Sequence, residues 1–251
     1  TGFKGSWCQS LLNFLGADTL GYSDRIPTSP SNFAEIKDDL HLKTIFGDIL
    51  DAELLKKTIN DFNPELIFHM AAQSLVKKSY EDPLETLNAN IIGTFNVINE
   101  CSHNVNSKVL INVTSDKCYE NNEENHAFKE NDPLGGKDIY SASKACSEII
   151  TNSYRESFLN NQNNSLKIAS VRAGNVIGGG DWSENRLIPD IIKSLDGKKL
   201  VIRNPDATRP WQHVLDPLSG YLRLAEQIFN KENKRLESGW NFGPDDKSAK
   251  S

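Results

Sequence analysis

Val109-Leu110-Ile111-Asn112-Val113-Thr114-Ser115-Asp116-Lys117 is an apolar run that breaks into polar residues at Thr114. A short continuous apolar run of this kind suits a parallel strand buried on both faces. Leu66-Ile67-Phe68-His69-Met70-Ala71 shows the same pattern upstream and Leu166 to Val171 shows it downstream, with Thr19-Leu20-Gly21-Tyr22 as a shorter candidate. Between these runs, helical periodicity marks Trp7 to Leu15, Leu54 to Phe62, Leu84 to Cys101, Tyr140 to Leu159 and Ile188 to Leu195. The last carries Pro189 in its first turn, where a missing amide costs nothing. Strands that alternate with helices predict an α/β fold built on a doubly wound parallel sheet. Beyond about Arg172 the alternation loosens into Gly178-Gly179-Gly180 and proline-rich turns. The expected division is therefore a sheet domain over 1–174 and a smaller, incomplete substrate-binding part over 175–251, interleaved with the first.

Composition limits the partners. A net charge of -6 over 251 residues leaves no basic footprint for nucleic acid. Cys8, Cys101, Cys118 and Cys146 lie far apart with no Cys-x-x-Cys spacing, which argues against a disulfide frame or a zinc site and fits a reducing cytoplasm. No apolar run approaches the roughly 20 residues needed to span a bilayer, and no basic-then-apolar leader opens the chain. The expectation is a soluble protein without metal.

The chain opens on Thr1-Gly2-Phe3-Lys4-Gly5-Ser6-Trp7 and closes on a strand-like Gly239-Trp240-Asn241-Phe242-Gly243-Pro244 followed by a polar tail. No residues precede the glycines to supply a strand, so the expectation is a piece cut at both sides, its first strand missing. Such a piece, expressed alone, is expected to be poorly soluble and inactive, because unpaired strand edges would outweigh a net stability of roughly 5–15 kcal/mol.

Several residues carry candidate chemistry. Gly2 and Gly5 have no side chain to hold backbone amides away from a pyrophosphate, and the following helix aims its positive end at the same anion; turn glycines are also common. Tyr140 and Lys144 are four apart on a helix, so phenol and ammonium share one face and the cation favours the phenolate. That makes a hydroxyl-proton shuttle, or an exposed helix pair. Ser115, at the strand end, is the hydroxyl that would bond the phenol or the substrate. Asp48, followed by the apolar Ile49, either accepts from an adenine amino group or caps the helix that starts near Ala52. Ala71-Ala72-Gln73 closes a strand with small residues against which a flat cofactor could lie. Asn90, on a long helix, either touches a ligand or satisfies a neighbouring backbone. Asp116-Lys117 is an acid and base pair or a solvated loop ion pair. A lysine acts as a base only when neutral, and a carboxyl acts as an acid only when protonated. Asn175, Arg186, Arg203 and Arg209 could neutralise a diphosphate or sit as surface polar groups. Trp182 and Trp211 could stack on a base or fill an interface, and His213, at the start of a helix over Leu215 to Phe229, reads as structural. After the short strand candidate, Asp24 and Arg25 occur together, so the residues do not decide between NAD and NADP.

Taken together, Gly2-x-x-Gly5, His69-Met-Ala71-Ala72-Gln73, Thr114-Ser115-Asp116-Lys117, Tyr140-x-x-x-Lys144 and Arg172-Ala-Gly-Asn175 resemble the extended short-chain dehydrogenase/reductases that act on nucleotide sugars. Asn112 to Glu120, Arg172 to Trp182, Arg186-Leu-Ile-Pro189 and Ile202 to His213 are similar, as whole blocks, to the 4,6-dehydratase branch that takes CDP-sugars. The resemblance runs from Thr1 to about Pro244. It implies a Rossmann-type sheet, a tightly held NAD, and dehydration of CDP-D-glucose to CDP-4-dehydro-6-deoxy-D-glucose. It implies catalytic roles for Ser115, Asp116, Lys117, Tyr140 and Lys144. Gly2, Gly5, Asp48, Ile49, Ala71, Ala72, Gln73, Asn90, Tyr140 and Lys144 would hold the cofactor. Gln73, Asn175, Arg186, Arg203 and Arg209 would hold the substrate. In the dTDP-glucose branch the residues at 116 and 117 are Asp-Glu, so Lys117 marks the CDP-sugar branch. The same resemblance implies a homo-oligomer formed through the two long helices and a place in deoxysugar synthesis for a bacterial lipopolysaccharide O-antigen. Two other readings remain: an epimerase or reductase of the same fold, which needs no acid and base for water loss, and a non-catalytic dinucleotide-binding fragment.

Overall fold

The computed structural model describes residues 1–121, 126–160, 164–195, 197, 199–202, 205, 207–230, 233–245 and 249–250. In chain order the elements begin with α1 (Phe3–Phe14), β1 (Gly21–Ser23), α2 (Asn32–Ile36), β2 (Thr44–Phe46), α3 (Ala52–Phe62), β3 (Leu66–His69), α4 (Val76–Glu81) and α5 (Pro83–Leu87). A π-helical turn, Asn88–Ile92, joins α5 to α6 (Gly93–His103), and β4 (Val109–Val113) leads into a 3-10 turn at Asp116–Cys118. Next come α7 (Ile139–Tyr154), which runs into a second π-helical turn at Arg155–Leu159, then β5 (Lys167–Ala173), β6 (Val176–Ile177) and α8 (Leu187–Ser194). The chain finishes with β7 (Arg209–Pro210), β8 (Gln212–His213), α9 (Leu215–Asn230), β9 (Gly239–Phe242) and β10 (Ala249–Lys250). Among the described residues no helix is long and apolar enough to cross a membrane.

Two compact units divide the chain, one of residues 1–46, 174–218 and 243–251, the other of 47–173 and 219–242. The second unit holds a four-stranded sheet of order β3-β4-β5-β9. Every pair in it is parallel, with His69 opposite Asn112, Val113 opposite Val171 and Ala173 opposite Phe242. Val109 to Val113 forms an inner strand, β4, all five residues of which are buried. Ile98, Leu110, Ile111, Ile168, Val171 and Ile228 make up its core, and each such side chain contributes about 1.5–3 kcal/mol when fully buried. Helix α6 packs against α3 and α7.

Helix ends account for some differences from the sequence expectation. Asp51, not Asp48, caps α3, accepting from the Leu54 amide at 3.0 Å. Asp48 instead folds back on its own turn, accepting from Leu50 N at 2.9 Å. The helix expected as one piece over Leu84 to Cys101 starts at Pro83, which suits a first helical position, and is interrupted by the π turn at Asn88. The long helix after Tyr140 likewise changes to π geometry at Arg155. β3 stops at His69, so Ala71, Ala72 and Gln73 lie just past the strand rather than within it. Helix α1 begins at Phe3, four residues earlier than the periodicity indicated. His213 belongs to a short strand, and its ring Nδ1 accepts from Leu215 N at 3.3 Å at the start of α9.

In the first unit, β1 pairs in parallel with β2 and β6 with β8, while β7 and β10 are antiparallel. The Trp7 indole N–H donates to the Gly179 carbonyl at 2.9 Å, and Asn32 donates to Ser6 Oγ at 2.8 Å. These bonds tie the first turn of α1 to the triple glycine and to the start of α2.

Candidate active site

Strand β4 ends where its sequence turns polar, and the turn it delivers is self-capped. Ser115 has extended backbone; its Oγ accepts from Lys117 N at 3.2 Å and donates to Asp116 Oδ1 at 3.0 Å. Ser115 is buried, whereas Asp116 and Lys117 are exposed. Helix α7 packs against this turn. Its N-cap, Asp138, accepts from Ser141 N at 2.9 Å and from Ser141 Oγ at 2.7 Å. The approach to that cap is tight: a Cβ on Gly136 would lie 2.4 Å from Ala142 N and 2.5 Å from the Ser141 carbonyl carbon. Glycine is thus required for the loop to pass the helix start.

Tyr140 and Lys144 stand on α7 at 7% and 5% exposure. They are not an exposed helix pair. The structure brings Ser115, Asp116 and Lys117 on the turn into the neighbourhood of the helix that carries Tyr140 and Lys144.

Behind this pair lies a buried polar network. His69, at the end of β3, shares a 3.0 Å hydrogen bond through Nε2 with Thr94 Oγ1. Burial first, and the Lys144 cation second, push the His69 pKa down to about 3. Its ring is therefore neutral at ordinary pH. Asn90 sits in the π turn with its side-chain amide matched to Gln73 as a strand partner would be: Oδ1 accepts from Gln73 N at 2.9 Å and Nδ2 donates to Gln73 O at 3.0 Å. The second Nδ2 hydrogen goes to Ser143 Oγ at 2.8 Å. Asn90 thus satisfies neighbouring backbone. The Gln73 side chain is turned inward, donating to Leu75 O and Thr86 Oγ1 and accepting from Leu75 N. Asn112, in mid-strand, donates to Ser147 Oγ at 3.1 Å and Thr151 Oγ1 at 2.8 Å on α7. Ile49 is buried and its carbonyl accepts from Asn96 at 3.0 Å, while Asp48 beside it is exposed.

One turn beyond Lys144, Glu148 receives Arg172 in a two-pronged ion pair, Nε to Oε1 and Nη2 to Oε2, both 2.9 Å. The two side chains are 4% and 5% exposed. Burial alone would favour loss of the Arg172 proton, but the hydrogen bonds and charge of Glu148 outweigh it and hold the guanidinium pKa above its ordinary value. Sequence reasoning quoted Arg172 without giving it a role and passed over Glu148. The signal available was the repeat of the four-residue spacing, Tyr140, Lys144, Glu148.

The remaining candidates belong to the first unit. Gly2 occupies the N-cap of α1 without a side-chain cap, the first turn carries no acidic residue, and a Cβ at Gly5 would meet nothing within 4 Å. The Asn175 carbonyl accepts from Gln212 N at 3.1 Å. Arg186 donates to the Asp181 carboxylate at 3.3 Å. Arg209 is exposed and donates to the Thr208 carbonyl at 2.9 Å. Arg203 lies outside the described residues.

The sequence matches the NAD dependent epimerase/dehydratase family over residues 1–239. It is 47% identical over 254 aligned residues to CDP-glucose 4,6-dehydratase of Salmonella typhimurium, covering 100% of this chain and 70% of that protein. Similarity to the dTDP-D-glucose 4,6-dehydratase of Dictyostelium discoideum is 29% over 216 residues, 81% of this chain and 47% of the relative. Among solved structures, a dTDP-glucose 4,6-dehydratase of Streptomyces venezuelae with NAD bound superposes with a TM-score of 0.80 at 24% identity, over 96% of this chain and 72% of that one. That likeness establishes the Rossmann-type α/β fold.

Proposed function

Because this chain belongs to the NAD-dependent epimerase/dehydratase family, we propose that it is a hydro-lyase that converts CDP-D-glucose to CDP-4-dehydro-6-deoxy-D-glucose. The observation that carries this reading is the 47% identity, along the whole chain, with the Salmonella CDP-glucose 4,6-dehydratase. NAD is the cofactor. The uncapped start of α1 at Gly2 and the clear space above Gly5 fit a pyrophosphate. Asp48, Ile49, Ala71 and Ala72, together with Gln73 held by Asn90, complete the proposed cofactor-binding set, with residues 1–174 as the cofactor domain and 175–251 as the nucleotide-sugar part. Bound NAD supplies a hydride acceptor for carbon 4 of the hexose and a hydride donor for carbon 6.

The residues of the chain handle the protons. Tyr140 takes the proton of the 4-hydroxyl, Lys144 holds the phenol in its reactive form, and Ser115 bonds the same hydroxyl. The ketone that forms at carbon 4 acidifies the proton on carbon 5. Lys117 removes that proton and Asp116 protonates the departing 6-hydroxyl, so water leaves across carbons 5 and 6. Gln73, Asn175, Arg186, Arg203 and Arg209 orient the nucleotide sugar, the guanidinium fork matching its diphosphate. A cytoplasmic homo-oligomer, serving deoxysugar synthesis for a surface polysaccharide, completes the proposal. Exposed Ile92, Phe95, Ile149 and Phe158, on the two long helical segments, support such an interface.

The test is incubation of the full-length protein with CDP-glucose, followed by the absorbance of a 4-keto sugar nucleotide in base. Wild-type protein should form it, Tyr140→Phe should not, and Asp116→Asn and Lys117→Met should be slower by roughly 10²–10⁴-fold. Wild-type protein that binds NAD yet makes no 4-keto product contradicts the proposal.

A further inference from the structure

The buried Glu148–Arg172 pair does more than fill the core. Glu148 Oε1 also accepts a short hydrogen bond from Thr114 Oγ1, and Thr114 immediately precedes Ser115. Thr114 is anchored on its other side to Val171, whose carbonyl accepts from the Thr114 amide at 2.9 Å. Arg172 spends two further donors on the far side of the pair: Nη1 reaches Tyr119 Oη at 2.6 Å and the Glu130 carbonyl at 3.0 Å, with the guanidinium carbon 5.0 Å from the Tyr119 ring centre. Tyr119 in turn donates to Asn241 Oδ1 on β9 at 2.6 Å and stacks on Phe128 at 4.8 Å. Gly239, on the same strand, leaves just enough room, since a Cβ there would lie 2.3 Å from Arg172 Nη2.

Two charges therefore meet the turn after β4, helix α7 and the strands β5 and β9. Thr114 and Tyr119 bracket the turn that carries Ser115, Asp116 and Lys117, and Glu148 shares the helix face of Tyr140 and Lys144. Two routes link the turn to the helix at Glu148, one through Thr114 directly and one through Tyr119 by way of Arg172. A hydrophobic pair would pack there as well and is often as stable. What a carboxylate and a guanidinium add is directional bonding at fixed angles, five donors against two acceptor oxygens.

We propose that Glu148 and Arg172 are positioning residues which, through Thr114 and Tyr119, set the Ser115-Asp116-Lys117 turn against Tyr140 for catalysis. This rests on the dehydratase reading for the reaction served, and on geometry alone for the clamp. Thr114→Val removes the hydroxyl that joins Glu148 to the turn while keeping shape and leaving the ion pair. Thr114→Ser restores the hydroxyl. Gly239→Ala reaches the pair from the opposite side, by displacing the guanidinium.

The experiment uses the full-length protein with CDP-glucose, together with amide hydrogen exchange read by mass spectrometry. Thr114→Val and Gly239→Ala should lower kcat roughly 10- to 100-fold with KM within about twofold and NAD content unchanged. Thr114→Ser should recover most of the rate. Exchange should quicken over residues 114–119 and stay unchanged in β4 and β5. Retained kcat in Thr114→Val, or loss of cofactor and KM together with kcat, overturns the positioning role. Should wild-type protein leave CDP-glucose untouched, the dehydratase reading falls while exchange still judges the clamp: faster exchange confined to 114–119 supports it, and unaltered exchange there refutes it.

Discussion

His69 is buried against Thr94 and feels the Lys144 charge, so its ring stays neutral well below the ordinary histidine range. An unfolded chain, with a histidine pKa of about 6.5, binds that proton while the folded one does not. Stability linked to His69 is therefore complete above the unfolded value and is lost progressively as pH falls from about 6.5 toward 3. The urea midpoint should fall between pH 7 and pH 5, and His69→Gln, which cannot titrate, should flatten that part of the slope. An identical slope in both proteins would remove His69 from the account. Burial acts the same way on the thiols: Cys8, Cys101 and Cys118 are all pushed up to about 12, chiefly by desolvation. Buried thiols of this kind are poor nucleophiles.

Among the elements, α7 has a tightly crossed N-terminus, since the loop at Gly136 passes it with no space for a methyl group. The atoms in the way are helix backbone, which cannot rotate aside. Gly136→Ala should therefore cost about 1–3 kcal/mol, measured as a lower urea midpoint at unchanged slope; an unaltered midpoint would mean that the loop shifts freely. The central strand of the large sheet was legible because burial on both faces demands a continuous apolar run, which Val109 to Val113 supplies locally; Leu66 to His69 reads the same way although only His69 is buried. Asn90 was visible as a polar residue in an apolar helix, but its π turn was not: one residue inserted into a helical turn leaves no trace in composition or periodicity. Asp48 and Asp51 both have cap chemistry, and the choice between them depends on where the chain enters α3. Glu148 and Arg172 are 24 residues apart in sequence, and nothing local in either predicts that each will neutralise the other.

For the molecule as a whole, apolar residues left in water on two neighbouring helical segments set the expected assembly. Phe95 is 43% and Phe158 54% exposed, in the same compact unit. Sedimentation of full-length protein should show a dimer or tetramer, and the double substitution Phe95→Asp with Phe158→Asp should give monomers. A wild-type monomer at micromolar concentration would defeat that expectation. The all-parallel order β3-β4-β5-β9 carries a further consequence. Parallel neighbours cannot be joined by a hairpin, so each edge waits for distant residues to be made. Once β5 has been synthesised, residues 174–238 must still be translated before β9 can close its flank. At ordinary elongation rates that delay is on the order of several seconds. For that time the nascent chain displays an open strand edge of Val171, Arg172 and Ala173 to whatever chaperone or neighbouring chain arrives first.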